Sequence, residues 1–464
     1  MIGFKISQMA VLVAVVFAVA SACSSPAVTV LNGVTVIDGV SGRKSADQAI
    51  IIRGDRIAEI GAVGSIKIPN GAEVMDLSGL FLVPGFVDLH VHFPEDASVH
   101  QAMLDRLLEY GVTTILNPGA RPGAGVELRE RIRSGDLRGP HMYTAGPIID
   151  RWPTEEGLKG WSTEVTSEEE MRSEVGRQAK TGVDFIKLYR GLPRSLVAAG
   201  VDEAHRYGLE VVGHMGETTW MDSALAGIDM LVHSGWGTPM DEIVNLDDPS
   251  AASDREWYYG YADAPRGDAF AALVDVLKLK DVVVVPTLSI TQASGLGKDA
   301  SMLSTFQVEL APDRGVDNWW SDGWQYRHPQ YGPDSEEEAE LLATIYMPAV
   351  FGILRAYYEV GVRIGVGTDV GNSWMTPGFI YHHELTLYQE AGIPAMEILR
   401  MASYGGALAL GLESDIGSIE VGKRADLILL RRDPSVDIRH TKDIEAVFLG
   451  GQLVSRRGKV MHDD

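Results

Sequence analysis

His90 and His92 flank Val91 at the end of an apolar run that begins at Phe86. Side chains alternate along a strand, so both imidazoles project from one side, where two neutral ring nitrogens can share one divalent cation. A His-x-His pair alone carries little specificity. Its setting, Val83-Pro84-Gly85-Phe86-Val87-Asp88-Leu89-His90-Val91-His92, is far more specific.

The elements that must position such a pair follow from the pattern of the middle of the chain, where short apolar runs alternate with longer helical stretches. Eight candidate strands occupy 86–92, 113–117, 141–145, 185–189, 210–214, 230–233, 282–287 and 363–369. Between them, stretches such as 167–180, 196–207 and 270–279 carry the apolar spacing of amphipathic helices. Eight strands favour a closed (β/α)8 TIM barrel over an open sheet. Active sites of that fold lie at the C-terminal ends of the strands, which here include His92, His214, His233 and Asp369.

The chain ends are different in kind. The runs 28–37 and 49–60, with a hairpin at Arg53-Gly54-Asp55, and the runs 425–430 and 446–454, broken at Gly450-Gly451, are β-rich. Residues 27–83 and 413–464 are therefore expected to join in one small β-sandwich domain outside a barrel of residues 84–412. The fold class is α/β. Two connections, 234–266 and 288–335, are much longer than usual and follow strand C-termini. They hold Trp236, Trp257, Tyr258, Tyr259, Tyr261, Trp319, Trp320, Trp324, Tyr326 and Tyr331, which form either the loops' own small core or a wall of the pocket.

The Pro-Gly-Phe-Val-Asp-x-His-x-His run resembles the first-strand signature of the amidohydrolase superfamily, and the tail Ile416-Gly417-Ser418-Ile419-Glu420-Val421-Gly422-Lys423-Arg424-Ala425-Asp426-Leu427 resembles the return strand of imidazolonepropionase-like and dipeptidase-like members. The resemblance spans nearly all of the chain after residue 27. It implies that Lys187 in Asp184-Phe185-Ile186-Lys187-Leu188, His214, His233 and Asp369 complete a ligand set. It further implies a carbamate on Lys187 that bridges two divalent cations, with zinc the expected ion. His90, His92 and Asp369 then serve the first cation, and His214 and His233 the second. Two cations about 3.5–4 Å apart activate a bridging water, with Asp369 as the catalytic proton shuttle.

Each residue also has a plainer reading. His214 or His233 could be a hydrogen-bonded core histidine, Lys187 could snorkel to a surface, and Asp369 could cap a turn. The joint placement of four of the 12 histidines at strand ends weighs against those readings. Tyr189 and Arg190, next to Lys187, are candidate contacts for a substrate carboxylate, with a surface salt bridge the equal alternative for Arg190, and His382 in Tyr381-His382-His383-Glu384-Leu385 is a third candidate whose favoured role is packing behind the site.

Composition bounds the partners. A net charge of -24 excludes a nucleic-acid function, because phosphate binding needs a basic face. A small-molecule substrate is expected, and a homo-oligomer is left open because no interface signal appears. The start of the chain resembles an export signal over 1–22: Lys5, an apolar run from Met9 to Ala20 too short for a membrane span, and Ala20-Ser21-Ala22 before Cys23. Cys23, the single cysteine, resembles the lipidated residue of a bacterial lipoprotein, so an exported, periplasmic or lipid-anchored protein is expected.

Three functions follow. The first is hydrolysis of an amide- or peptide-type C–N bond in a dipeptide, an N-acyl amino acid or a cyclic amide. A deaminase, or a lactonase or esterase, on the same scaffold is the second. The third, a non-catalytic surface-binding lipoprotein, would be marked by lost metal ligands, and none is missing.

Overall fold

The structure is a computed structural model that describes residues 28–151, 160–234, 243–244, 254–296, 336–372 and 375–461. The expected signal segment 1–22 and Cys23 lie outside the described residues. Among the described residues, no helix is long and apolar enough to cross a membrane.

The two chain ends meet in one sheet of nine strands. Five come from the N-terminal end (Val28–Ile37, Lys44–Arg53, Arg56–Ala62, Glu73–Asp76, Phe81–Pro84) and four from the C-terminal end (Leu427–Leu430, Ile444–Leu449, Gln452–Arg456, Lys459–Val460). The hairpin at Arg53–Arg56 turns through Gly54 at φ +60°, a conformation open to glycine at little steric penalty. Its apolar face, with Leu31, Val34, Ile50, Ile52, Leu82, Leu427, Leu429 and Phe448, is a core separate from the rest of the molecule.

A small β-sandwich domain was expected here; the hydrogen bonding joins all nine strands in one continuous sheet. Phe81–Pro84 pairs parallel with Val28–Ile37 on one edge and antiparallel with Leu427–Leu430 on the other, Phe81 lying opposite Leu430 and Pro84 opposite Leu427. With both of its edges occupied, no break separates the N-terminal strands from the C-terminal ones.

The middle of the chain is α/β with two parallel sheets. Phe86–Asp88, Val112–Asn117 and His141–Thr144 form a three-stranded sheet, all parallel. A seven-stranded sheet runs Ser162–Glu164, Ile148–Asp150, Phe185–Leu188, Glu210–Gly213, Met230–Val232, Val283–Val285, Arg363–Ile364. All eight expected strands occur. Ile148–Asp150 and Ser162–Glu164 are additional, and at three residues each they are too short to show a period. An Ala145–Phe185 bridge and the Asp184 N–H to Thr144 carbonyl bond (2.8 Å) link the two sheets on one side. On the other, Leu89 N–H donates to the Val366 carbonyl (2.9 Å) and Asp369 N–H to the His90 carbonyl (2.8 Å).

Both faces of the strands are covered, so every residue of Phe185–Leu188 and of Val112–Asn117 is buried, polar Lys187 and Asn117 included. The covering helices carry their own start and stop signals. In Glu168–Lys180, the Ser167 hydroxyl accepts from Glu170 N–H, Glu168, Glu169 and Glu170 fill the first turn, and Arg177 and Lys180 fill the last, which suits the helix dipole at both ends. Its Met171 and Val175 turn inward. The next helix, Arg194–Arg206, packs so closely that a Cβ on Gly200 would meet Met171 Sδ at 3.0 Å and Leu188 Cδ2 at 3.2 Å.

The long connection after the sixth expected strand contains the helix Asp254–Asp263. Tyr258 and Tyr261 of that helix are buried against Tyr346, with ring centroids 4.9 and 5.8 Å away, and all three join the main apolar core of the α/β unit. Trp236, Trp319, Trp320, Trp324, Tyr326 and Tyr331 lie outside the described residues.

Candidate metal centre

The parallel strands stop just short of the residues that could do chemistry. Phe86–Asp88 ends before His90, Glu210–Gly213 one residue before His214, and Met230–Val232 one residue before His233. One of these stops has a backbone cause: His233 sits at φ +65°, a left-handed position that a side chain with a Cβ rarely takes, and Asp369, beyond the end of the strand Arg363–Ile364, sits at +61°. Such conformations cost about 1–3 kcal/mol each and persist only where the surroundings impose them. Here His233 N–H donates to the Val285 carbonyl (3.0 Å) and Asp369 N–H to the His90 carbonyl, so the departing backbone stays tied to its neighbours.

Three donor atoms converge. His90 Nε2 and His92 Nε2 lie 3.1 Å apart, and Asp369 Oδ1 lies 3.3 Å from the first and 3.5 Å from the second. Donors bound at about 2.1 Å around a tetrahedral zinc stand about 3.4 Å from one another, so this triangle already has the spacing of a coordination face. Donor atoms of His90, His233 and Asp369 also lie within 4.8 Å of one another. The rings continue outward: His233 is 4.8 Å from His90 and 4.4 Å from His214, centroid to centroid. Lys187 is 2% exposed, and its Nζ has no hydrogen-bond partner among the described residues, as is true of His90 Nδ1.

Burial sets the charge states. Desolvation, followed by the neighbouring Lys187 charge, holds His90 well below the usual histidine range; the same two causes bring His92 down to about 4. His233 is held low by desolvation and then by His214. Desolvation pulls Lys187 down to about 7 against the opposing pull of Asp369, and pushes Asp369 up to about 7 against Lys187 and the Asn372 hydrogen bond. Neutral imidazoles, an amine drawn towards neutrality and a carboxyl group in a dry pocket are what a divalent cation would need to find. The six residues His90, His92, Lys187, His214, His233 and Asp369 thus share one electrostatic neighbourhood, and the donor set fits such an ion.

The flanking candidates divide. Tyr189 lies edge-on to His214 at 4.7 Å. Arg190 is exposed, its carbonyl accepts from Glu217 N–H (2.6 Å), and its charge reaches His233. His382 is elsewhere: its Nδ1 lies 2.8 Å from Thr441 Oγ1, its Nε2 3.0 Å from the Tyr110 carbonyl, and its ring packs on Phe86 at the entry end of the strand. The expectation that His382 contacts substrate is corrected on that ground. Both ring nitrogens are committed to packing on the side away from His90 and His92.

Four further residues hold the site in place. Asp88 accepts from His90 N–H (3.1 Å), Thr368 N–H (3.0 Å) and the Thr368 hydroxyl (2.7 Å). Thr287 lies 2.7 Å from His233 Nδ1, and Glu384 accepts from Leu288 N–H (2.8 Å), Ser289 N–H (2.7 Å) and the Ser289 hydroxyl (2.6 Å). Asp88 had a signal in the sequence, since it continues the same alternation as His90 and His92. Thr287, Thr368 and Glu384 had none.

An amidohydrolase family model matches residues 81–233 and 348–454, more than half of the chain. A 5-methylthioadenosine/S-adenosylhomocysteine deaminase from Moorella thermoacetica is 23% identical over 459 residues, covering 91% of this chain and 92% of the relative. An imidazolonepropionase from Micrococcus luteus is 24% identical over 432 residues, covering 90% and 95%. Among solved structures, a Xaa-Pro dipeptidase with bound methionine in its active site superposes with a TM-score of 0.66 at 22% identity, covering 92% of this chain and 99% of its own. Phenylurea hydrolase B superposes with a TM-score of 0.68 at 21% identity, covering 93% and 98%. At these identities the structural likeness carries the fold.

Proposed function

The chain belongs to the amidohydrolase family, and on that premise we propose a hydrolase that holds two divalent cations, zinc being the ion its donors suit, and cleaves an amide- or peptide-type C–N bond of a small substrate. In this reading the two parallel sheets are one (β/α)8 barrel of residues 84–412, and the nine-stranded sheet is a composite domain of 27–83 and 413–464. His90, His92 and Asp369 hold one cation, His214 and His233 the other, and Lys187, as its carbamate, holds both.

Lys187 is the observation that carries the reading. A lysine only 2% exposed beside three imidazoles, with Nζ unengaged among the described residues, would be a large uncompensated cost if its role were structural. An amine drawn down towards neutrality is the form that adds carbon dioxide, and the carbamate so formed offers two oxygens in place of a positive charge.

When bound, paired divalent cations lower the pKa of a water and polarise the scissile carbonyl. Asp369 would take the proton of the attacking water and return it to the leaving amine. The flanking Tyr189 and Arg190 would receive a substrate carboxylate. That favours dipeptides and N-acyl amino acids.

A deaminase is the second reading, favoured by the full-length match to a relative of that name. The test is a panel of dipeptides, N-acyl amino acids, cyclic amides and adenosine thioethers given to zinc-loaded protein. Release of an amino acid supports the proposal; release of ammonia from the nucleosides alone rejects it for the second reading.

A further inference from the structure

Thr287 binds no substrate and belongs to no ligand set in the reading above, yet its conformation is among the least comfortable in the molecule. It is a β-branched residue at φ +49°, in the left-handed region where such side chains are outliers. Something must impose that geometry. The residues that follow it supply the means: Leu288 N–H, Ser289 N–H and the Ser289 hydroxyl all donate to the two carboxylate oxygens of Glu384, a fully buried side chain on the helix Phe379–Glu390. One carboxylate therefore pins the backbone directly after Thr287 at two points and the Ser289 side chain at a third.

The hydroxyl so placed has a single proton, and its use is accounted for. Thr287 Oγ1 donates to the Pro286 carbonyl at 2.8 Å. With that proton on the Pro286 carbonyl, the oxygen faces His233 Nδ1, 2.7 Å away, as an acceptor. Nδ1 must then carry the imidazole proton, and the lone pair is left on Nε2.

We infer that Thr287, braced by Glu384, is a positioning residue that selects the Nδ1–H tautomer of His233 and so presents Nε2 as its donor atom. The inference rests on reading His233 as a cation donor. Hydrogen bonds to the second ring nitrogen orient ligand histidines and fix which nitrogen can bind. His233 needs this more than its neighbours do. His90 and His92 sit on adjacent alternate positions of one extended segment, whereas His233 has already left its strand at φ +65°, where the backbone alone does not define the ring. Among the described residues, the equivalent contact of His92, from Nδ1 to the Gly119 carbonyl, is long at 3.4 Å.

The test begins with the zinc-free wild-type protein and needs no variant. Two-bond nitrogen–proton correlations of histidine-labelled chain, with His233 assigned through His233→Gln, are expected to show the proton on Nδ1. A proton on Nε2 overturns the inference. Thr287→Val keeps the branched shape and deletes the hydroxyl; His233 is expected to shift to a mixture of tautomers, and the affinity for the more weakly held equivalent of zinc(II), measured by chelator competition, to drop about 10- to 100-fold. Thr287→Ser is expected to restore both. An unchanged tautomer and unchanged zinc affinity in Thr287→Val also overturn it. If the wild type binds no zinc(II) at all, the metal-centre reading fails, and the tautomer spectrum still decides between a Thr287 that orients His233 and one that does not.

Discussion

Asp88 accepts both the backbone N–H and the hydroxyl of Thr368, at 3.0 and 2.7 Å, and this pair locks the segment carrying His90 and His92 to the segment carrying Asp369. Because Asp88 also accepts His90 N–H, Asp88→Ala would leave the backbone N–H groups of His90 and Thr368 buried without an acceptor, while the Thr368 hydroxyl keeps the His90 carbonyl at 3.4 Å. Each such donor costs about 1–3 kcal/mol. The variant is expected to lose several kcal/mol of stability in urea denaturation and to hold less zinc. Wild-type zinc content and stability would show that the clamp is dispensable.

Lys187→Ala is expected to reduce hydrolysis to the buffer background, because it removes the only group proposed to reach both cations. A small carboxylic acid added to the assay should restore part of the rate by occupying the vacated space with two oxygens. Full activity without the acid would rule out the bridging role.

His382→Ala addresses the corrected assignment. It removes contacts to Thr441 and Tyr110 and leaves a gap beside Phe86, so stability should drop by about 2–5 kcal/mol as for other large-to-small core changes. Zinc content and KM of the folded fraction should not move. A raised KM with unchanged stability would return His382 to the pocket.

Glu210 gives a pH dependence that can be signed. Desolvation, then the nearby Asp229 charge, raises its carboxyl from 4.5 to about 7. Between those values the folded chain keeps a proton that the unfolded chain has released, so stability falls as pH rises through that window and the penalty is complete above about 7. Glu210→Gln removes the titration. The variant should gain stability relative to wild type at pH 8 and lose that advantage towards pH 4.5, read as the difference in thermal midpoints. A difference that does not vary with pH would mean Glu210 titrates normally.

The alternation along the strand around Val91 and the apolar runs ending at His214, His233 and Asp369 were enough to read the sequence as an α/β chain with its chemistry at strand ends. Those patterns are local, since each depends on a few consecutive residues and the period of one element. The resemblance to a family then named Lys187, which its apolar neighbours alone would have left as a snorkelling cation.

What the sequence could not decide was which distant surfaces meet. His382 and Glu384 lie on the same helix, yet packing turns one towards Tyr110 and Thr441 and the other under the backbone of Leu288 and Ser289. The single continuous sheet arises because Phe81–Pro84 has partners on both edges, one from each end of the chain. The positive φ angles of His233, Thr287 and Asp369 belong to the same class: His and Asp enter the left-handed region more readily than most residues and a β-branched Thr does not, yet contacts from remote segments decide which positions adopt it. Periodicity is written in neighbouring residues, whereas the aim of each donor is set by atoms far along the chain that only folding brings near.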